Sequence, residues 1–130
     1  MTDVPGIVLD ASALLALLHG EPGGTEIEPL LSTAAISSVN WSEVLQKGLS
    51  RGVPVEGLRS DLESLGLAIW PFTAEDAEAA AGLWPQTRAL GLSLGDRACL
   101  ALAMRLDKPA FTTDSTWGQL HVGVEIMVLR

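Results

Sequence analysis

The chain has 130 residues, enough for one domain that buries roughly two-thirds of its unfolded surface. Hydrophobic residues make up 48%, which excludes intrinsic disorder, and no apolar run approaches the length of a membrane span. The formal net charge of -8, from 16 acids and 8 bases, argues against a general nucleic-acid-binding surface, because phosphates prefer basic ones.

In chain order, Ile7-Val8-Leu9 reads as a first strand ending at Asp10. A helix follows from Ala11 to Leu18 and breaks at Gly20-Glu21-Pro22-Gly23-Gly24. A second helix is expected over 26–31 and a second strand over 35–39. Asn40 is read as the cap of a helix reaching about Arg51, stopped by Gly52 and Pro54. A short helix over 55–65 leads to a third strand over 67–72. Thr73 caps the next helix, with Glu75 and Asp76 in its first turn and Gly91 as its stop. Ser93 caps another, whose interior is Cys99-Leu100-Ala101-Leu102-Ala103-Met104. Ala110 to Thr113 is the fourth strand, ending at Asp114, and the last strand lies within 122–129. Short apolar runs alternate with helical patterns throughout, which predicts a parallel sheet covered by helices.

That topology brings acids together. Ligands of open α/β sheets sit beyond the carboxyl ends of the strands. Asp10 and Asp114 stand where strands end, and Asn40, Glu43 and Asp96 open helices that begin near the same edge. Four carboxylates at one rim suit Mg²⁺ or Mn²⁺, hard ions that take oxygen ligands and keep several waters. Such an ion polarises a phosphate oxygen and acidifies a water for in-line attack, so no histidine is needed. Each acid also has a plain structural reading. Glu43 after Asn40, and Asp96 after Ser93, have capping-box spacing, and Asp10 and Asp114 have turn-forming positions.

Four segments resemble the PIN-domain family, most closely its VapC toxin branch. They are Val8-Leu9-Asp10-Ala11-Ser12-Ala13-Leu14, Ile36-Ser37-Ser38-Val39-Asn40-Trp41-Ser42-Glu43-Val44, Leu92-Ser93-Leu94-Gly95-Asp96-Arg97-Ala98 and Phe111-Thr112-Thr113-Asp114-Ser115-Thr116-Trp117. The resemblance implies a PIN-like α/β/α sandwich with a central, mainly parallel sheet of four to five strands. It implies Mg²⁺- or Mn²⁺-dependent RNA cleavage, a homodimer, and inhibition by a VapB-type antitoxin. It carries over Asp10, Glu43, Asp96 and Asp114 as the acidic quartet, with Ser12 and Thr112 as accompanying hydroxyls; Asn40, placed at the same edge by the topology, is read as a supporting residue.

The remaining residues carry weaker signals. Lys47 and Arg51 continue the face begun by Glu43, either as a Glu43–Lys47 pair with a solvated Arg51 or as contacts to RNA phosphates. Arg97 reads as a surface arginine, and His19 and His121 as surface or satisfied histidines. Cys99 reads as a core residue, and Trp41, Trp84 and Trp117 as packing anchors. The dense leucines Leu14, Leu15, Leu17 and Leu18 exceed what one sheet face needs and suggest a partner surface. The single cysteine, and a Met1–Gly6 run without the basic start of a signal peptide, are consistent with a cytoplasmic protein.

Competing chemistries fail on single residues. A haloacid-dehalogenase-type phosphatase needs an Asp where Ser12 stands. A receiver domain needs an acidic pair at Asp10, and no phosphate-binding loop motif occurs. A non-catalytic metal- or RNA-binding module of the same fold, and an RNA-processing or DNA-directed nuclease, remain open at this point.

Overall fold

The computed structural model describes residues 5–130, so Met1–Val4, part of the run read for a signal peptide, lies outside the described residues. Five strands form the sheet: β1 (Ile7–Leu9), β2 (Ala34–Ser37), β3 (Ala68–Trp70), β4 (Ala110–Thr112) and β5 (Ile126–Val128). Their order is β3-β2-β1-β4-β5 and every pairing is parallel. The chain builds outward from β1 on one side, then returns to add β4 and β5 on the other. The order therefore reverses between β1 and β4, and their carboxyl ends bound the crevice where α/β sheets take ligands.

Among the described residues, seven α-helices connect and cover the sheet: α1 (Ala11–His19), α2 (Gly24–Ile27), α3 (Ser38–Ser50), α4 (Leu58–Ser64), α5 (Ala74–Gly82), α6 (Trp84–Thr87) and α7 (Leu94–Leu106). Alternation along the strands divides the core into two layers. Ile7, Leu9, Ile36 and Phe111 face one way and pack with Leu14, Ile27, Trp41, Val44 and Leu62 of α1 to α4. Val8, Ala35 and Ala110 face the other way and pack with Cys99, Leu100, Leu102 and Trp117. Three β1 residues thus serve both layers, which is why the strand reads as an unbroken apolar run rather than an alternating one.

Several local expectations are corrected. The helix after β2 begins at Ser38, because the Ser37 hydroxyl accepts the Val39 N–H at 3.2 Å and ends the strand there. Asn40 is not the cap but lies in the first turn, so Glu43 is not a capping-box acid. The expected helix over 26–31 is α2 followed by a 3-10 turn over Glu28–Thr33, with Pro29 at its start. The helix from Thr73 stops at Gly82; α6 and a 3-10 turn at Arg88–Leu90 take the chain on to Gly91. Trp84 is half-exposed under the Arg88 guanidinium, not a core anchor, whereas Trp117 is fully buried. Arg97 is half-buried and donates to the Ala80 carbonyl at 3.0 Å, which ties α7 to α5. The leucine surplus on α1 is largely covered: Leu14 is buried, and Leu15, Leu17 and Leu18 are half-buried against the same core layer.

Candidate active site

The site begins with Asp10, the residue that ends β1. It is the N-cap of α1, with its Oδ1 accepting the Ala13 N–H at 2.8 Å. The same oxygen accepts the Ser12 hydroxyl at 2.7 Å, and Oδ2 accepts the Thr112 hydroxyl at 2.6 Å. Thr112 ends β4, so this last bond spans the β1–β4 crevice. Ser12 Oγ in turn accepts the Thr113 N–H at 3.0 Å, and Thr112 Oγ1 accepts the Asp114 N–H at 3.0 Å. The two hydroxyls are the clasp of the crevice: each holds Asp10 with its proton and the opposite strand end with its lone pair.

Asp10 is only 4% exposed. Burial pushes its carboxyl up to about 6, the hydroxyl and N–H donors pull it back, and the Asp96 charge adds to the rise. Asp10 therefore meets any ligand from a dry position, with both of its oxygens already accepting from protein donors.

Glu43 and Asp96 arrive on helices from opposite layers. The Asn40 amide donates to Glu43 Oε1 at 2.8 Å and to the Gly95 carbonyl at 2.9 Å, so one side chain joins the first turn of α3 to that of α7. Gly95 leaves the Glu43 carboxylate its place: a Cβ there would stand 2.5 Å from either carboxylate oxygen and would turn that side chain away. Asp96 does complete a capping box. Its Oδ2 accepts the Ser93 N–H at 2.9 Å and the Ser93 hydroxyl accepts the Asp96 N–H at 3.2 Å. Capping uses one carboxylate oxygen, so it orients Asp96 without consuming it. Asp114 is exposed and its Oδ1 takes the Thr116 N–H and hydroxyl in an Asx turn.

Asp10, Glu43, Asp96 and Asp114 line one cleft of about 240 Å³, with Ala11, Ser12, Leu15 and Lys47 completing it. Beneath the rim, burial pushes the Cys99 thiol up, and the Asp10, Asp96 and Glu43 charges add to that rise. Among the described residues, no three Asp, Glu, His or Cys side chains stand close enough to hold an ion as they are turned here. Each carboxylate faces its own protein donors, as like charges do when each can be satisfied separately. The donor set nonetheless fits a hard divalent cation. It is all oxygen, its central member is a buried carboxylate whose charge is disfavoured, and Asn40 Oδ1 is a buried acceptor with no protein partner beside it.

The cleft contains every acid that sequence reasoning placed there. Two features were missed. Gly95 signals its role only as a glycine inside a helical pattern, a mark of close approach. The Glu43–Lys47 pair expected from four-residue spacing is absent: the ion pairs among the described residues are Arg51–Glu21, Arg59–Glu63 and Arg105–Asp76.

A parallel sheet with an acidic cleft at its switch point defines the class: an α/β protein that gathers four carboxylates at one sheet edge. A model of the PIN domain matches residues 7–122, and the chain belongs to that family. No curated protein matches it by sequence. Among solved structures, a toxin–antitoxin complex from Klebsiella pneumoniae superposes with a TM-score of 0.69 at 20% identity, over 93% of this chain and 100% of the other. VapBC2 from Rickettsia felis, bound to a promoter DNA fragment, gives 0.68 at 20% identity, over 95% and 98%. VapC20 from Mycobacterium tuberculosis, a sarcin–ricin loop cleaving toxin, gives 0.70 at 17% identity, over 92% and 99%. At these identities the likeness is one of fold.

Proposed function

We propose that the chain is a metal-dependent endoribonuclease, the toxin of a VapBC-type toxin–antitoxin pair, acting on RNA phosphodiesters. The observation that carries this reading is the convergence of Asp10, Glu43, Asp96 and Asp114 on one cleft of a PIN domain. The toxin–antitoxin neighbours support the biological setting, and one of them is a toxin that cleaves RNA.

Asp10, Glu43, Asp96 and Asp114 would hold Mg²⁺ or Mn²⁺. Bound there, the ion would offset the carboxylate charge, polarise a phosphate oxygen and acidify a water. The chain's own residues do the rest. Ser12 and Thr112 anchor Asp10, Asn40 anchors Glu43, and Ser93 anchors Asp96, so three carboxylates reach the cleft from β1, α3 and α7 and would turn toward a bound ion from there. The same reading makes the protein a homodimer that also takes a VapB-type antitoxin. No helix among the described residues is long and apolar enough to cross a membrane.

The test is single-turnover cleavage of a structured RNA in Mg²⁺ beside a filter-binding assay. Asp10→Asn and Asp96→Asn keep side-chain shape and remove charge, so cleavage should fall by about a hundredfold or more while the fold and RNA binding persist. If both variants cleave RNA and arrest growth as the parent does, the catalytic reading gives way to a binding module.

A further inference from the structure

An acidic chain that cuts RNA has to hold a polyanion, and only 8 Lys and Arg residues are available for that. Most of these are committed. Arg105 clasps Asp76 through both nitrogens at 3.0 and 2.8 Å, Arg97 serves the Ala80 carbonyl, Arg59 pairs with Glu63, and Arg88 covers Trp84. Lys108 lies before β4, at the sheet edge opposite the acids, and Arg130 lines a separate depression with Glu21 and Thr113 rather than the acidic cleft. Lys47 is different. It lines the acidic cleft itself, is exposed, and makes no ion pair among the described residues. Arg51 follows one helical step along the same face, half-exposed, 2.6 Å from His19 Nδ1 and 4.0 Å from Glu21.

The surface is shaped to match. Glu43 and Lys47 belong both to the acidic cleft and to a second depression of about 210 Å³, completed by Gln46 and Ser50 on the outer face of α3. The cleft therefore opens onto a polar groove along α3. Glu43, Lys47 and the capping residue Arg51 succeed one another at about 6 Å along the helix axis, comparable to the spacing of neighbouring phosphates along a nucleic-acid strand.

We propose that the outer face of α3 is the track that holds the substrate strand, with Lys47 on the phosphate next to the one at the acids and Arg51 on the phosphate beyond it. The inference rests on the nuclease reading and deepens it by naming the residues that hold the substrate backbone beyond the acids. The track carries charge and hydrogen-bonding groups but no stacking aromatic, so it grips the backbone without reading bases. Lys47 and Arg51 are here positioning residues for the strand.

The experiment is fluorescence anisotropy of a labelled, unstructured RNA oligonucleotide on the Asp96→Asn protein in Mg²⁺, from 50 to 300 mM salt, with cleavage measured in parallel on the parent chain. Lys47→Gln and Arg51→Gln should each weaken binding severalfold and together tenfold or more. Each should lower the slope of log affinity against log salt by about 0.7. In cleavage they should raise KM and leave kcat nearly unchanged, Lys47→Arg should restore binding, and Arg59→Gln and Arg88→Gln should match the parent. An unchanged slope in the Lys47→Gln, Arg51→Gln double variant overturns the track, as does a wild-type affinity that does not respond to salt. Binding of an acidic polypeptide in place of RNA, with the same dependence on Lys47 and Arg51, overturns it in favour of a protein partner. Failure of the nuclease reading shows separately, as absent cleavage by the parent chain while strand binding still follows Lys47 and Arg51.

Discussion

Asp10 carries the tightest set of contacts in the cleft and the clearest pH signature. Its carboxyl titrates near 3.8 unfolded and is pushed up to about 6 by burial in the fold. The folded chain thus holds the proton more firmly than the unfolded one. Its contribution to stability is fullest below pH 3.8 and is lost as pH rises through about 6, a difference of about 3 kcal/mol. In the presence of a chelator, urea unfolding of the parent should fall by about that amount relative to Asp10→Asn between pH 4 and pH 7. Parallel pH profiles for the two proteins would show that the carboxyl is not buried as described. Thr112→Val is the companion test, because it removes a donor to the ionised form and should raise the Asp10 pKa further.

Two helices of the same layer start alike and end in different roles. α5 opens with Thr73 and Asp76, α7 with Ser93 and Asp96, and both pairs form complete capping boxes. Asp76 is then consumed by Arg105, which also reaches the Pro71 carbonyl and covers Trp70. Asp96 keeps an oxygen free toward the cleft. Thr73→Ala and Ser93→Ala should each cost about 1 kcal/mol of stability. Only Ser93→Ala should also weaken Mn²⁺ binding, read by isothermal titration, since only its acid faces the site. Equal effects on metal affinity would show that Asp96 acts as a cap alone. Sequence could not separate these two boxes. The Thr-x-x-Asp and Ser-x-x-Asp patterns are identical in kind, and the separating fact is an arginine 29 residues beyond Asp76.

At the scale of the molecule, the cleft is where three layers meet. β1 and β4 belong to the sheet, α3 to one covering layer and α7 to the other, and Asn40 bridges the two helices over the sheet edge. A cation held by Asp10, Glu43, Asp96 and Asp114 would tie all three layers together. At a hundredfold excess over its Kd, Mg²⁺ or Mn²⁺ should stabilise the fold by about 2.7 kcal/mol and raise the Tm on the order of 5–10 °C. Differential scanning fluorimetry with and without the ion checks this. The rise should shrink sharply in Asp96→Asn, and an undiminished rise in both Asp10→Asn and Asp96→Asn would place the ion elsewhere.

The sequence by itself determined the alternation of strands and helices, the family resemblance and the four acids. These depend on local pattern and on one topological rule, that strand ends at one edge collect functional groups. Helix boundaries were less legible where capping residues crowd. Ser37, Ser38 and Asn40 all cap helices well, and the strand register of β2 against β1 and β3, not propensity, selected Ser37. Only the tertiary structure decided which cations are free. Arg97 and Arg105 look like surface charges in one dimension, yet one is drawn to the Ala80 carbonyl and the other to Asp76 by packing of α7 on α5. Lys47 looks like half of an intrahelical pair, yet Glu43 turns to Asn40 because Gly95 leaves it room. The reason is the same each time. Pattern along a chain records which groups one element can present, whereas the partner of a charge is chosen by whichever element folds against it.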